Sequence, residues 1–147
     1  MSNFLPLVSV IMPVFNSASY LRLAIDSILN QTYENIELLI IDDCSTDNSV
    51  EIVNSFKSPK IRFFKNEKNI GVSATRNKMI DLSNGKYIAL MDSDDISPKY
   101  RIEKQVDFLE KNIQYGLIGG HYERFSDNGI FKKYKVHKHS LIQEENQ

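Results

Sequence analysis

The stretch YIALMDSDDISP, residues 87–98, sets an apolar run that reads as a buried strand directly before three carboxylates, Asp92, Asp94 and Asp95. Acidic side chains are almost never buried unpaired, and like charges this close repel one another. A strand that ends in such a cluster puts its charges at the rim of a sheet, where a ligand can use them.

Apolar runs alternate with amphipathic segments on either side of this stretch. Leu7 to Val14 reads as a strand, and Leu21, Ile25, Ile28 and Leu29 then recur at helical spacing. Ile36 to Ile41 is a second buried strand, Val50, Val53 and Phe56 mark a short helix, and Ile61 to Phe64 is a third strand. Residues 72–83 read as a helix and Lys86 to Met91 as the fourth strand. Ile102, Val106, Leu109 and Ile113 stripe another helix, and Gly116 to Gly119 begins a fifth strand. This rhythm predicts an α/β fold, a mostly parallel sheet with helices on both faces. Asp127-Asn128-Gly129 is a turn signal between Tyr122–Phe125 and Ile130–Tyr134, so a C-terminal β-hairpin is expected. Residues 1–135 form the expected domain, and 136–147 a polar tail.

The bulk numbers exclude several classes. A length of 147 residues suits one domain with a core of its own. A net charge of −1 gives no electrostatic grip on nucleic acid. The single cysteine, Cys44, excludes an internal disulfide and fits a reducing, cytoplasmic compartment. MSNFLPLVSV has no cationic region or cleavage site of a signal peptide. No apolar run approaches the ~18 residues that span a bilayer.

In an open parallel sheet, ligands bind beyond the carboxyl ends of the strands. Pro13, Phe15 and Asn16 follow strand one; Asp42, Asp43, Ser45 and Asp47 follow strand two. Asn66, Glu67 and Asn69 follow strand three, and the acidic cluster follows strand four. Two acidic groups on one rim are harder to explain as solvated surface than either alone. Asp92 and Asp94, two apart on an extended chain, can face one point. Mg²⁺ or Mn²⁺ is commonly held by one or two carboxylates plus substrate phosphates. The alternative is a solvated loop capping the next helix, for which Ser97-Pro98 is a good N-cap and N1 pair. Ser45, Thr46 or Asp47 would cap the helix after strand two, whereas Asp42 or Asp43 could accept a base N–H or sugar hydroxyls. Phe15 is either core or a stacking platform for a nucleobase. Gly71 permits an unusual backbone angle, and Arg76 is either an exposed helix residue or a guanidinium that orders the acids or meets a diphosphate. Cys44 reads as a small packed residue. The sequence holds no GxxxxGK[ST], GxGxxG or GxSxG.

Taken together, VSVIMPVFN, AIDSILNQTYENIELLIIDDCSTDNS, NIGVSATRN and YIALMDSDD resemble the family 2 glycosyltransferases, in order and at the family's spacing from residue 7 to about 120. The resemblance implies a GT-A type fold that binds a nucleotide-sugar, commonly a UDP-sugar, with Mg²⁺ or Mn²⁺. It implies that Phe15 lies against the base and that Asp43 meets its N–H. Asp92 would sit near the ribose or the metal, Asp94 would be the direct metal ligand, and Pro13 and Ser93 would belong to the same cofactor-binding set. Arg76 matches the family's arginine, with Thr75 standing where alanine is usual. The acceptor implied is a glycan or a lipid-linked sugar, which allows peripheral membrane association of a full-length enzyme. In inverting members a later carboxylate serves as general base. The chain reaches Gln147 before such a motif, and Glu144 and Glu145 do not resemble it. The expectation is therefore a truncated, N-terminal portion that binds donor, with no catalytic base named and with exposed apolar surface that favours a homodimer.

Three other readings compete. A non-catalytic nucleotide-sugar binding module would keep the same fold. A receiver-type phosphoacceptor domain would want a lysine after the last strand, where Gly119-Gly120-His121 stands. A nucleotidyltransferase would want a glycine-rich basic loop after strand one, and PVFNSASY is neither.

Overall fold

All seven residues of β1 (Val8–Val14) and all seven of β2 (Ile36–Asp42) are buried. Strands covered on both faces must be apolar almost throughout, and these runs meet that demand. In the computed structural model, which describes residues 5–126 and 129–134 with side chains as far as Arg124, the two pair in parallel from Val8↔Ile36 to Val14↔Asp42. β2 pairs in parallel with β3 (Ile61–Lys65), and β1 with β4 (Tyr87–Leu90), giving the order β3-β2-β1-β4. The chain divides into two compact units, Met1–Glu103 and Lys104–Gln147, and this sheet belongs to the first.

Helix placement follows from the handedness of the crossovers. β1, β2 and β3 step one way across the sheet, so right-handed connections put α1 (Leu21–Leu29) and α2 (Ser49–Ser55) on one face, where they touch each other. The chain then returns past β2 and β1 to β4, which puts α3 (Val72–Leu82) on the opposite face. There Met79 packs with Ile11, Leu39 and Ile41. Residues of the other parity, Val10, Met12, Leu38 and Ile40, are fully buried beneath the first face, as is the α1 stripe of Leu21, Ala24, Ile25 and Ile28. Full burial of each such side chain is worth roughly 1.5–3 kcal/mol. The expected α/β sheet with helices on both faces is therefore present.

Three expectations need correction. β4 is not a fully buried strand: Ile88 is 41% and Leu90 54% exposed. It is the edge of the four-stranded sheet, paired on one side only, and α3 lies over β1 and β2. The helix after it, α4 (Arg101–Lys111), stops before Ile113, which is exposed. Residues 116–119 form no strand; the glycines there raise the entropic cost of an extended segment. The hairpin is present as β5 (Tyr122–Ser126) antiparallel to β6 (Gly129–Tyr134). Its turn at 127–128 and the tail at 136–147 lie outside the described residues.

The amino end of the sheet is closed by one buried carboxylate. Glu37 accepts from Ser9 Oγ, from the Asn84 backbone N–H at 2.8 Å, from Asn84 Nδ2 at 3.1 Å and from Arg62 Nη1 at 2.8 Å. Arg62 also donates to the Leu82 carbonyl, so β1, β2, β3 and the end of α3 converge here. Gly85 donates its N–H to Ser9 Oγ at 2.8 Å, and a Cβ there would lie 2.5 Å from the Ser9 nitrogen. Burial pushes the Glu37 carboxyl up, but the bonds from Ser9, Asn84 and Arg62 outweigh it and hold the carboxyl at about 2, against an ordinary 4.5.

Because the folded value lies below the unfolded one, the stability Glu37 supplies is present above pH ~4.5 and is lost as pH falls towards ~2. Glu37→Gln leaves one acceptor oxygen for four donors. It should lower stability by roughly 2–3 kcal/mol at pH 7 and flatten the acid limb of a melting-temperature profile between pH 5 and 2. An unchanged acid limb would show that Glu37 carries no such linkage.

Candidate functional site

Strand order reverses direction between β1 and β4, which opens a crevice beyond their carboxyl ends. Pro13 marks where it begins. Ile11 gives its carbonyl to the Met91 N–H on the β4 side, and Val14 gives its carbonyl to Asp43 on the β2 side. By alternation Pro13 faces the β4 side, where pairing has already ended at Ile11↔Leu90. A missing N–H costs nothing there, so a proline sits in a central strand without breaking the ladder. Pro13 is itself buried in β1, at the floor of this opening.

The loops after β1 and β2 are laced together. Asn16, in a left-handed backbone at φ 50, donates its N–H to Ser45 Oγ at 2.9 Å and accepts from the Thr46 N–H at 2.8 Å. Ser17 donates its N–H to Ser49 Oγ at 3.0 Å, and Ala18 donates to Asp47 Oδ2 at 2.9 Å. Asp47 Oδ1 takes the Ser49 N–H at 3.0 Å, so of the three expected caps it is Asp47 that serves the start of α2. Phe15 projects from this lacing with 50% of its surface exposed, so the core reading of that ring fails.

Asp43 is 3% exposed and organises the loop after β3. Its Oδ1 accepts from Asn66 Nδ2 at 2.8 Å and from the Ile70 N–H at 2.9 Å; its Oδ2 accepts from the Gly71 N–H at 2.8 Å. Burial pushes this carboxyl up, but those bonds and Thr75 hold it below the usual aspartate range. Gly71 stands at φ +83, a conformation that L side chains rarely adopt, and opens α3. Thr75, the departure from alanine, is fully buried and accepts from Asn66 Nδ2 at 3.1 Å. Lys78 donates to Asn66 Oδ1 at 2.9 Å, and Cys44, at φ 66, donates its S–H to the Asn66 carbonyl.

The acidic loop after β4 alternates pegs and free ends. Asp92 is bonded to Arg76 Nη2, which α3 carries over to the loop. Ser93 is buried, and its hydroxyl shares a 2.6 Å hydrogen bond with Ser17 Oγ across the crevice. Asp94 is exposed, accepts no hydrogen bond and joins no ion pair among the described residues. Partial desolvation, then the charges of Asp92 and Asp94, push the Asp95 carboxyl up against the opposing Arg101 guanidinium. Arg101 also donates to the Leu90 carbonyl at 2.8 Å. Ser97 does not cap α4, which begins at Arg101; its hydroxyl accepts from Gln31 Nε2 at 3.3 Å instead.

No three His, Cys, Asp or Glu side chains converge on a metal position among the described residues. The donor set still fits a hard divalent cation that takes one or two carboxylates and leaves the rest of its shell to phosphate and water. Asp94 is free to serve, Asp92 stands beside it, and the mutual repulsion of the three acids is what a cation would relieve. Asn66, Thr75, Ser17 and Gln31 are the supporting residues that sequence reasoning did not assign. The amide and hydroxyl content of their motifs was visible, but the partners are up to 76 positions apart.

With this geometry in place, comparison identifies the family. The family model described as glycosyl transferase family 2 matches residues 9–147, and the chain belongs to that family. An uncharacterized glycosyltransferase of Methanocaldococcus jannaschii, MJ1057, is 38% identical over 92% of this chain and 49% of its own length. The putative teichuronic acid biosynthesis glycosyltransferase TuaG of Bacillus subtilis is 36% identical over 81% of this chain and 48% of its own. The Escherichia coli UDP-Glc:alpha-D-GlcNAc-diphosphoundecaprenol beta-1,3-glucosyltransferase WfgD is 38% identical over 87% of this chain and 50% of its own. The chain thus spans about half the length of these relatives. Among solved structures, S. aureus TarS 1-349 in complex with UDP-GlcNAc matches with a TM-score of 0.68 and 28% identity over 72% of this chain and 32% of that one. The Pyrobaculum calidifontis mannosyltransferase PcManGT shares the fold, with a TM-score of 0.70 at 22% identity over 78% of this chain and 35% of that one. The sheet is that of the GT-A glycosyltransferases.

Asp43→Asn replaces one acceptor oxygen by a donor that faces an N–H. It should cost about 2–3 kcal/mol and speed amide exchange at Ile70 and Gly71 well beyond that of β2. Uniform protection loss across the sheet would mean that Asp43 does not order this loop in particular.

Proposed function

We propose that this chain is the donor-binding portion of a family 2 glycosyltransferase. It takes a nucleotide-sugar, a UDP-sugar, with Mg²⁺ or Mn²⁺, for glycosyl transfer to a glycan or lipid-linked acceptor in polysaccharide synthesis. Residues 1–135 make up the donor-binding domain. The observation that carries this reading is the acidic loop at the β1–β4 crevice, where Asp94, alone of Asp92, Asp94 and Asp95, has no counter-charge among the described residues. The complexes of TarS with UDP and UDP-GlcNAc, and the UDP-glucose in the name of WfgD, support the choice of donor class.

In this reading the exposed ring of Phe15 stacks on the base. Asp43 meets a base N–H, and the ordered 66–71 loop fixes the direction of its carboxylate. Asp92, held by Arg76, and Ser93, held by Ser17, border the ribose. Asp94, with Asp92, would hold the cation. When bound, the cation supplies positive charge to the diphosphate that leaves as the glycosyl bond breaks. Arg76 adds a fixed guanidinium nearby, which keeps Asp92 oriented before any ligand arrives. No carboxylate here is assigned as general base for the acceptor hydroxyl.

Calorimetric titration with UDP, with and without Mn²⁺, tests the reading. Binding should depend on Mn²⁺, and Asp94→Ala should weaken it by tenfold or more while leaving the melting temperature of the free protein unchanged or higher. Equal binding by wild type and Asp94→Ala, or binding indifferent to Mn²⁺, would overturn the metal assignment. No binding of UDP by the folded chain would overturn the donor class.

A further inference from the structure

The acidic loop is a short arch between two buried serines. Asp94, Asp95 and Ile96 are exposed, while Ser93 and Ser97 on either side are buried. The first peg, Ser93, rests on Ser17. The second rests on the end of α1, through residues that the donor-site reading leaves without a role. Gln31 is 7% exposed, and its side-chain amide is fully used. Nε2 donates to the carbonyls of Ser27 and Pro98, both at 2.9 Å, and to Ser97 Oγ at 3.3 Å; Oε1 accepts the Ile102 N–H at 3.1 Å. Ser27 Oγ takes the Ser97 N–H at 3.0 Å and donates to the Ala24 carbonyl at 2.8 Å. Thr32 extends the clamp, donating its N–H to the Lys99 carbonyl at 3.0 Å and its hydroxyl to Glu103.

We propose that Gln31 and Ser27 are positioning residues for the divalent cation, clamping Ser97 so that the arch presents Asp94 at a fixed place. The proposal rests on the donor-site reading above and adds to it the residues that set its metal affinity. The physical need is plain. Asp92, Asp94 and Asp95 repel one another, and a three-residue arch with one loose end would relax by swinging its carboxylates apart. Among the described residues, the arch itself is held by a single backbone turn, the Asp95 N–H on the Asp92 carbonyl at 3.3 Å. A small, hard cation tolerates little misplacement of its ligands, and partners that merely orient ligands commonly change metal affinity 10- to 100-fold. A buried glutamine that satisfies four backbone or hydroxyl groups is costly to place and rigid once placed, which suits such an anchor.

The test separates positioning from stability. UDP binding is measured by calorimetry at a series of Mn²⁺ concentrations for the wild type, Ser27→Ala, Ser27→Thr and Gln31→Leu, with melting temperatures in EDTA alongside. Ser27→Ala and Gln31→Leu should raise the Mn²⁺ concentration for half-maximal UDP binding by tenfold or more. UDP affinity at saturating Mn²⁺ should recover, and Ser27→Thr, which keeps the hydroxyl, should behave as wild type. Should Gln31→Leu fail to fold, Ser27→Ala decides, since it removes one acceptor and leaves the glutamine in place. An unchanged Mn²⁺ requirement in folded Ser27→Ala overturns the proposal, as does a loss of UDP affinity that excess Mn²⁺ does not restore. A wild type that binds UDP without regard to Mn²⁺, or not at all, overturns the donor-site reading first and this proposal with it.

Discussion

Parallel pairing of β1 on both of its sides is the constraint from which the site follows. β1 holds β2 along its whole length but holds β4 only from Val8 to Ile11. The strands all run the same way, so every loop that carries a polar cluster emerges at one rim. β4 stops short, so the rim is split between β1 and β4. The split leaves room for a ligand without any break in the buried ladder, and Pro13 lies where the neighbouring strand has gone.

Around that opening the polar side chains fall into two kinds. Some are fully engaged by the protein: Glu37 at the far end, Asp43 and Asn66 under the 66–71 loop, Asp47 under Ala18 and Ser49, Gln31 under Ser97. Others are left open to solvent: the ring of Phe15 and the carboxylate of Asp94. Buried polar groups must be satisfied or they cost stability, so the first kind pays for rigidity near the site. The second kind can remain unsatisfied only at the surface, which is where Phe15 and Asp94 both lie. The division between support and presentation is a consequence of burial.

Much of the fold was legible because its signals are local. Short, almost wholly apolar runs bounded by turn signals read as strands covered on both faces, and helical spacing of Leu21, Ile25 and Ile28 admits one buried stripe. The places where local reading failed are those where neighbours decide. YIAL carries the composition of a core strand, yet half of it faces outward, since nothing in a four-residue run says whether a second strand pairs with it. Ser97-Pro98 has the chemistry of a helix cap, but Gln31 claims the serine and α4 starts at Arg101. Ile113 continues an apolar period past the point where the helix ends.

The sequence by itself determined the α/β rhythm, the rim on which the polar clusters lie and, through four spaced motifs, the glycosyltransferase family. These depend on periodicity and on residue types at fixed spacing, which a chain carries before it folds. Only the tertiary structure decided which acids are spent and which are free. Asp43 and Asp94 look alike in sequence, each an aspartate at the end of a strand. One is buried with three donors on it from residues 23 to 28 positions away, and the other stands in solvent with none among the described residues. Hydrogen-bond satisfaction depends on groups brought together across such separations, and folding alone brings them there.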